Sequence, residues 1–148
     1  KVITGTLPIW GDQVLLCKRA IEPRRGYWTL PAGYLENKET AEEGAARETL
    51  EEANARIDDL KLYTVFSLPH ISQIYMFFRG NLADLNFSSG EESLEVELFD
   101  EQDVPWDDLA FPVIGQTLKA YFSDRQTGQF PLHYEDVRYR PRTLKTAS

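Results

Sequence analysis

The sequence has almost no cysteine, little histidine and a shortage of positive charge. Cys17 is the single cysteine among 148 residues, which excludes an internal disulfide and a cysteine-rich zinc site within this segment. Sixteen lysines and arginines stand against 24 aspartates and glutamates, for a net charge of −8. That balance argues against general binding to nucleic acid or to an anionic membrane. Since no signal peptide and no apolar run near about 18 residues is present, we expect a soluble, cytoplasmic protein.

Length and composition favour one folded domain. A chain of 148 residues with 42% hydrophobic and 12% aromatic content is long and apolar enough to bury a core. We place this domain at residues 1–134. Residues 135–148 read as a polar C-terminal tail, extended or mobile, because basic and few apolar residues follow Tyr134. The chain begins at Lys1 and Val2 already has strand character, so we expect a trimmed or processed piece.

The spacing of hydrophobic residues predicts strands interrupted by two amphipathic helices. Gly11 and Asp12 mark a tight hairpin turn. Thr40 is suited to cap a helix that runs to about Ala53. A second helix is predicted over Pro112–Asp124, with its core side formed by Val113, Leu118, Tyr121 and Phe122. The predicted strands are Val2–Trp10, Gln13–Lys18, Tyr27–Leu30, Arg56–Ser67, Gln73–Leu82 and Leu94–Phe99. This order predicts an α/β fold, a mixed sheet covered on both faces.

The most informative stretch is Arg47–Glu52, which holds three carboxylates and an arginine in six residues. On a helix, Glu48, Glu51 and Glu52 share one stripe. We expect burial of the opposite side, which carries Ala46, Thr49, Leu50 and Ala53. An ordinary solvated face interleaves its acids with lysines, whereas these adjacent acids repel one another unless cations neutralise them. The pattern is typical of a divalent-metal site with oxygen ligands, suited to Mg²⁺ or Mn²⁺; an acidic surface helix is the alternative.

The order of these residues resembles the Nudix box, the signature of the Nudix pyrophosphohydrolases. The resemblance rests on Gly33, Glu39, Arg47-Glu48, Glu51-Glu52 and Asn54-Ala55. Asn54 stands where the family has glycine, but asparagine is the next-best residue for a left-handed helix end. The other departures remove no carboxylate; they are Ala32, Lys38, Thr49 and Ala55. The resemblance implies the Nudix fold, an α/β/α sandwich in which the box is a loop–helix–loop.

The same resemblance implies a set of metal ligands. Glu51 and Glu52 are expected to bind Mg²⁺ or Mn²⁺, and Glu48 to act as a ligand or as the general base. A backbone carbonyl near Ala32 and Gly33 is expected to supply one more oxygen.

Supporting residues follow from the resemblance as well. Arg47 is expected to hold Glu48 or the other helix carboxylates in place, and Glu39 to steady the loop before the helix. A further acid is expected from Glu95 or, as the second choice, from Glu92. For Glu95, a solvated glutamate on a strand is the alternative.

Within the family, the chain is most similar to the FAD/ADP-ribose pyrophosphatase type. This resemblance runs from Val2 to Tyr134 and rests on Val14–Arg19, Gly26–Glu36, Glu92–Glu95 and Leu109–Phe111. Members of this subgroup often carry a four-cysteine zinc ribbon before this point, which this segment does not contain. The Ser-Gln-Pro-Trp run of NADH-type Nudix enzymes is absent, since Ser72-Gln73 is followed by Ile74-Tyr75. We therefore rank NADH below the other substrates.

Substrate-binding residues are predicted outside the box. Arginines suit phosphate groups, and aromatic rings stack on adenine or isoalloxazine. For each aromatic residue, packing in the core is the alternative. The candidates are Arg19, Arg24, Arg25, Tyr27 and Tyr75, together with Phe77 and His70.

These inferences predict an Mg²⁺-dependent hydrolase that cleaves FAD into FMN and AMP. ADP-ribose is the first alternative substrate, and damaged nucleoside triphosphates are the second. A Nudix-fold regulator that binds a nucleotide without hydrolysing it is the non-enzyme alternative. We expect a small-molecule nucleotide diphosphate as the binding partner. Because members of the family are commonly homodimers, the resemblance also implies a homodimer.

Overall fold

Eight strands and two helices make up the fold of residues 1–138, the part of the chain that the computed structural model describes. The strands are β1 (Val2–Trp10), β2 (Gln13–Arg19), β3 (Trp28–Thr29), β4 (Ala32–Tyr34), β5 (Ile57–Leu68), β6 (Gln73–Leu82), β7 (Ser93–Phe99) and β8 (His133–Asp136). The helices are α1 (Ala41–Ala53) and α2 (Pro112–Thr127). None of the helices in this part of the chain is long and apolar enough to cross a bilayer.

The strands join into one sheet of mixed direction, as the sequence predicts. Its main path is β3-β2-β1-β6-β5-β8, with β4 paired to β1 and β7 paired to β2. The pairs β1/β6 and β5/β8 are parallel, and the remaining pairs are antiparallel. Gly11, with a φ of 59°, lies in the tight turn that joins β1 to β2. The predicted hairpin is therefore confirmed.

Alternating residues of β2 enter two separate cores on opposite faces of the sheet. Val14 and Leu16 belong to the larger core, which α2 covers with the four residues predicted for it: Val113, Leu118, Tyr121 and Phe122. Leu15 and Cys17 belong to a smaller core that includes Ala53 at the end of α1. The sheet thus has one helix on each face, and the predicted α/β/α sandwich is confirmed.

Helix α1 begins and ends where its capping residues predict. The side chain of Thr40 accepts a hydrogen bond from the backbone N–H of Glu43, whose own side chain accepts one from the backbone N–H of Thr40. This reciprocal capping box satisfies two free donors at the helix start. Asn54 ends the helix in the left-handed conformation, with φ 48° and ψ 33°. Local sequence therefore fixes both ends of the helix that carries the acidic stripe.

The buried side of α1 differs from the predicted one. Leu50 is 51% exposed, and Ala46 is only half-buried, so these two assignments were wrong. The residues that are buried are Gly44, Ala45, Glu48, Thr49, Glu52 and Ala53. The side of α1 that carries Thr49 packs on β1, where the hydroxyls of Thr49 and Thr6 lie 2.6 Å apart. Two of the acids therefore border the buried side of the helix.

The C-terminal region contains one strand that the sequence does not predict. Strand β8 runs parallel to β5, with Thr64 opposite His133 and Ser67 opposite Asp136. It crosses the domain boundary predicted at Tyr134. Residues 139–148 of the predicted tail lie outside the described residues, so the boundary and the character of the tail stay predictions.

Candidate active site

A cleft of about 1160 Å³ opens where β4, the acidic side of α1 and the loop before β7 meet. Its lining includes Ala32–Glu36 and the acids Glu48, Glu51 and Glu52. Glu91 and Glu92 face them from the loop between β6 and β7. The metal ligands that the resemblance implies therefore lie in one cavity. Their roles stay predictions, but their proximity is a property of the fold.

Arg47 connects the acids of this cleft. Its guanidinium contacts both oxygens of Glu39, at 3.0 and 2.7 Å. One of its terminal nitrogens also donates to Glu48 at 2.8 Å and to Glu51 at 3.0 Å. Hydrogen bonds from Arg47 and from the backbone N–H of Glu36 hold the pKa of Glu39 below its ordinary value. The geometry agrees with the expected roles of Arg47 in holding carboxylates and of Glu39 in steadying the loop.

Glu52 is buried, with 9% of its surface exposed. One of its oxygens accepts the backbone N–H of Ala32 at 2.8 Å. Burial, together with the charges of Glu48 and Glu92, raises the pKa of Glu52 to about 8 despite that hydrogen bond. The charged form of this carboxyl group is therefore unfavourable unless a cation lies beside it.

Glu48 is also 9% exposed, and it packs directly against Gly33. A Cβ added to Gly33 would overlap the carboxylate of Glu48. Burial raises the pKa of Glu48, although the hydrogen bond from Arg47 opposes this effect. Glycine at position 33 therefore allows this carboxylate to approach the backbone of β4. The motif alone does not explain why a glycine is needed there.

Of the two acids that the sequence prediction proposes outside the box, the second choice, Glu92, lines the cleft. Glu95 lies on β7 opposite Lys18 and forms an ion pair with it at 3.2 Å. Glu95 is not among the residues that line the cleft, whereas Glu92 is. The pairing of β2 with β7 changes register between Lys18 and Arg19. Lys18 lies opposite Glu95, whereas Arg19 lies opposite Ser93. Sequence alternation could not show that change of register.

The donor chemistry of the cleft fits a hard divalent cation. Within residues 1–138, no three carboxylate, imidazole or thiol groups stand together in positions ready to hold one ion. Two of the acids instead point an oxygen at Arg47, namely Glu48 and Glu51. Glu52 instead accepts the backbone N–H of Ala32, and burial raises its pKa to about 8. Carboxylate and carbonyl oxygens are the ligands that Mg²⁺ and Mn²⁺ prefer.

Only some of the predicted substrate residues reach the cleft. Arg19 and Tyr75 line it. Arg24 donates to the carbonyl of Ala110 at 3.1 Å, and its guanidinium lies 4.0 Å from the ring centre of Tyr27. Arg25 donates to a backbone carbonyl within its own loop. These last three residues, Arg24, Arg25 and Tyr27, are outside the cleft lining.

Two aromatic residues differ from expectation. Phe77 is fully buried, with 0% exposure, so the alternative of core packing is correct for it. Phe111, which the sequence prediction did not propose as a ligand-binding residue, lines the cleft and lies under Arg19, whose guanidinium is 5.2 Å from its ring centre. An aromatic residue directly before Pro112, the start of α2, is the signal that could have identified it.

Curated relatives match part of the chain. The ADP-ribose pyrophosphatase of Methanocaldococcus jannaschii is 31% identical over 100 residues, which are 64% of this chain and 58% of that protein. The NAD-capped RNA hydrolase NudC of Yersinia pestis is 37% identical over 81 residues, which are 55% of this chain and 29% of that protein. The chain thus spans less than two thirds of the length of either relative.

Solved structures and a family match cover more of the chain. A NUDIX hydrolase from Nitrosomonas europaea is 58% identical, with a TM-score of 0.91 over 94% of this chain and 79% of that one. An ADP-ribose pyrophosphatase from Streptococcus suis shares the fold, with 18% identity and a TM-score of 0.70 over 90% of this chain and 98% of that one. The NUDIX domain family matches residues 2–121. This protein therefore belongs to the NUDIX domain family.

Proposed function

We propose that this protein is a pyrophosphohydrolase, dependent on Mg²⁺ or Mn²⁺, that cleaves a nucleoside diphosphate linked to another moiety. The observation that carries the proposal is the pair of buried carboxylates, Glu48 and Glu52, at the cleft of a NUDIX domain. Buried acids with unneutralised charge destabilise the fold unless a ligand compensates them. A functional site is the usual reason for such an arrangement.

The acids of α1 would hold the metal, with Glu51 and Glu52 as ligands and Glu48 as a ligand or as the general base. A bound divalent cation supplies charge neutralisation at phosphate oxygens and lowers the pKa of its water. The protein's own contribution is orientation. Arg47 fixes one oxygen of Glu48 and one of Glu51, and the backbone N–H of Ala32 fixes one oxygen of Glu52. The other carboxylate oxygens are the ones available to a ligand.

A general base is needed to take the proton of the attacking water. Glu48 and Glu92 are the two candidates in the cleft. Glu48 has one oxygen bound to Arg47, which leaves the other for a proton. Glu92 approaches from the opposite loop and is exposed. Its position makes it a better candidate than Glu95, which pairs with Lys18.

The cleft is large enough for a dinucleotide-type substrate, since a typical ligand pocket measures about 300–1,000 Å³ and this one is about 1160 Å³. Arg19 supplies a cation on the wall, suited to a phosphate oxygen. Tyr75 and Phe111 supply aromatic faces, which favour flat rings. FAD and ADP-ribose both contain an ADP half that fits these features. A curated relative with the name ADP-ribose pyrophosphatase supports ADP-ribose as strongly as FAD.

One substrate panel tests the proposal. The purified protein is incubated with FAD, ADP-ribose, NADH and 8-oxo-dGTP, each with Mg²⁺ or Mn²⁺, and the products are identified by chromatography and mass spectrometry. We expect two monophosphates from FAD or ADP-ribose and little turnover of the triphosphate. A much higher kcat/KM for the triphosphate contradicts the substrate class. If none of the substrates is turned over, the assignment as an enzyme is contradicted and the alternative of a non-catalytic Nudix-fold regulator is favoured.

Two finer expectations belong to the same proposal. A homodimer is expected because members of the family are commonly homodimers, and light scattering of the purified protein measures the oligomeric state. A cytoplasmic location is expected from the sequence, and fractionation of the source cells measures it.

A further inference from the structure

The loop between β6 and β7, residues 83–92, covers the C-terminal end of α1. The backbone N–H of Ser88 donates to the carbonyl of Ala53 at 2.9 Å, and that of Gly90 donates to the carbonyl of Glu52 at 3.0 Å. Carbonyls in the last turn of a helix have no partner within the helix. This loop supplies partners for two of them, so the end of α1 and the loop are joined by their backbones.

Asn54 adds a side-chain connection between the same two segments. Its amide nitrogen lies 3.0 Å from the hydroxyl oxygen of Ser88, and 3.3 and 3.4 Å from the carbonyl oxygens of Ser88 and Ser89. Asn54 stands where the Nudix box has glycine. Glycine would fit the left-handed backbone equally well, but it could make none of these three contacts. The departure from the motif therefore introduces a specific connection to the loop.

Gly90 shows how closely the loop approaches the acidic helix. A Cβ at this position would overlap the carbonyl oxygen of Glu51 and press on the Cα of Glu52. Two residues later, the carbonyl of Glu92 accepts the backbone N–H of Ala20 at 2.9 Å. The side chain of Glu92 lines the cleft. The segment that carries this acid is thus held at one end by α1 and at the other by the residue after β2.

We propose that Asn54 is a positioning residue for Glu92, acting by fixing residues 88–90 to the end of α1. The inference rests on the proposed hydrolase function, because Glu92 matters only if the cleft is an active site. Through this connection, Glu92 on the loop keeps a fixed position relative to the acids of α1. Glycine at position 54 would preserve the fold and the two backbone hydrogen bonds, but it would remove the side-chain contacts to Ser88 and Ser89 and so loosen the loop.

Kinetics of a double-mutant cycle test this proposal. The variants are Asn54→Gly, Glu92→Gln and the double variant, each assayed on the best substrate at saturating metal. For Asn54→Gly we expect kcat to fall about tenfold or more, since small misplacements of catalytic groups have effects of this size, with little change in KM. In the Glu92→Gln background the same change should have no further effect. If the loss of kcat in the double variant equals the product of the losses in the two single variants, the proposal is overturned. An unchanged kcat in Asn54→Gly overturns it as well.

A measurement without substrate separates this inference from the proposed function. Amide hydrogen exchange of Ser88 and Gly90 is compared between the wild-type protein and Asn54→Gly. We expect faster exchange in the variant, with a similar melting temperature. Unchanged protection overturns the connection, whether or not the protein hydrolyses any diphosphate. Failure of the substrate panel with faster exchange in the variant contradicts only the hydrolase.

Asp59→Gly is the matched control variant. Asp59 also has a left-handed backbone, with a φ of 57°, and it is exposed and outside the cleft lining. The same backbone change there should leave both kcat and the exchange of Ser88 and Gly90 as in the wild-type protein. A loss of kcat in this control as large as in Asn54→Gly would assign the effect to general loosening and overturn the specific role of Asn54.

Discussion

Glu52 accepts the backbone N–H of Ala32 at 2.8 Å, although the two residues are 20 positions apart in the sequence. The bond joins α1 to the short strand β4 and fixes one oxygen of a buried acid in the cleft. The same carboxyl group has a pKa raised to about 8, first by burial and then by neighbouring negative charge. Glu52 is therefore rigidly oriented, and its charged form is unfavourable in this buried position unless a cation binds beside it.

Replacement of Glu52 by glutamine should separate chemistry from folding. Glutamine keeps the size of the side chain and an oxygen for the N–H of Ala32, but it lacks the charge that a metal requires. We expect hydrolysis to fall by roughly a hundredfold or more. Without metal and above about pH 8, where Glu52 is ionised, the melting temperature should rise, because an amide is less costly to bury than a carboxylate. Steady-state kinetics and calorimetry with a chelator measure the two effects.

Glu42→Gln is the matched control, because Glu42 is an exposed acid in the first turn of the same helix and outside the cleft lining. It should retain normal turnover. Near-normal turnover of Glu52→Gln at saturating Mg²⁺ would show that the metal-ligand assignment is wrong.

Gly33→Ala should disable the site while sparing the fold. The added Cβ would overlap the carboxylate of Glu48, the mobile end of a side chain. The carboxylate must therefore move away, and its hydrogen bond with Arg47 must change. We expect a loss of activity of about tenfold to a hundredfold with a small change in melting temperature. A drop in activity that only mirrors the loss of folded protein, measured by circular dichroism, would contradict this explanation.

Arg47→Lys should fail to replace arginine even though it keeps the charge. Arg47 contacts two oxygens of Glu39 and one oxygen each of Glu48 and Glu51. A lysine ammonium cannot match that planar set of donors. We expect lower thermal stability and a reduced kcat together. The control is Arg56→Lys, since Arg56 is exposed and forms a single ion pair with Asp84; an equal loss in both variants would contradict the special role of Arg47.

Mg²⁺ or Mn²⁺ should raise the melting temperature of the wild-type protein. A ligand that binds only the folded state stabilises it by about 2.7 kcal/mol at a hundred times its dissociation constant. Relief of the repulsion among Glu48, Glu51 and Glu52 is the physical source of the gain. Differential scanning fluorimetry with increasing Mn²⁺ measures it. The gain should be much smaller in Glu52→Gln, and a wild-type curve that does not move counts against the site.

Local signals in the sequence predict much of this fold. Thr40 and Asn54 give the ends of α1 correctly, because caps depend on a few neighbouring residues. The burial of α1 could not be predicted in the same way. It depends on the contact of Thr49 with Thr6, 43 positions away. Leu50, the residue after Thr49, is 51% exposed.

Prediction of the candidate site has the same limit. The acids of the box follow from spacing on one helix, whereas the loop residues depend on distant partners. Arg24 is held by Ala110, 86 positions away, and so does not line the cleft. Glu92 lines the cleft and Glu95 does not, and the pairing of β2 with β7 changes register between Lys18 and Arg19.

A final prediction concerns acid stability and a group outside the cleft. Asp124 on α2 accepts hydrogen bonds from the hydroxyl of Tyr63 on β5 at 2.5 Å and from the ring of His133 on β8 at 2.7 Å. Burial alone would raise the pKa of Asp124, but these two partners outweigh it and hold the pKa below its ordinary value. The ionised carboxylate therefore stabilises the folded state at neutral pH.

The sign of the pH dependence follows from that lowered pKa. An aspartate in an unfolded chain has a pKa of about 3.9, so the stabilisation by Asp124 is complete above that value and is lost as pH falls through the lower pKa of the folded state. Asp124→Asn should be less stable than the wild-type protein at pH 7, and the difference should shrink towards pH 3. Urea unfolding at several pH values measures it. Asp136→Asn, at an exposed aspartate of β8, is the control, and a difference for Asp124→Asn that stays constant with pH would contradict the role of its charge.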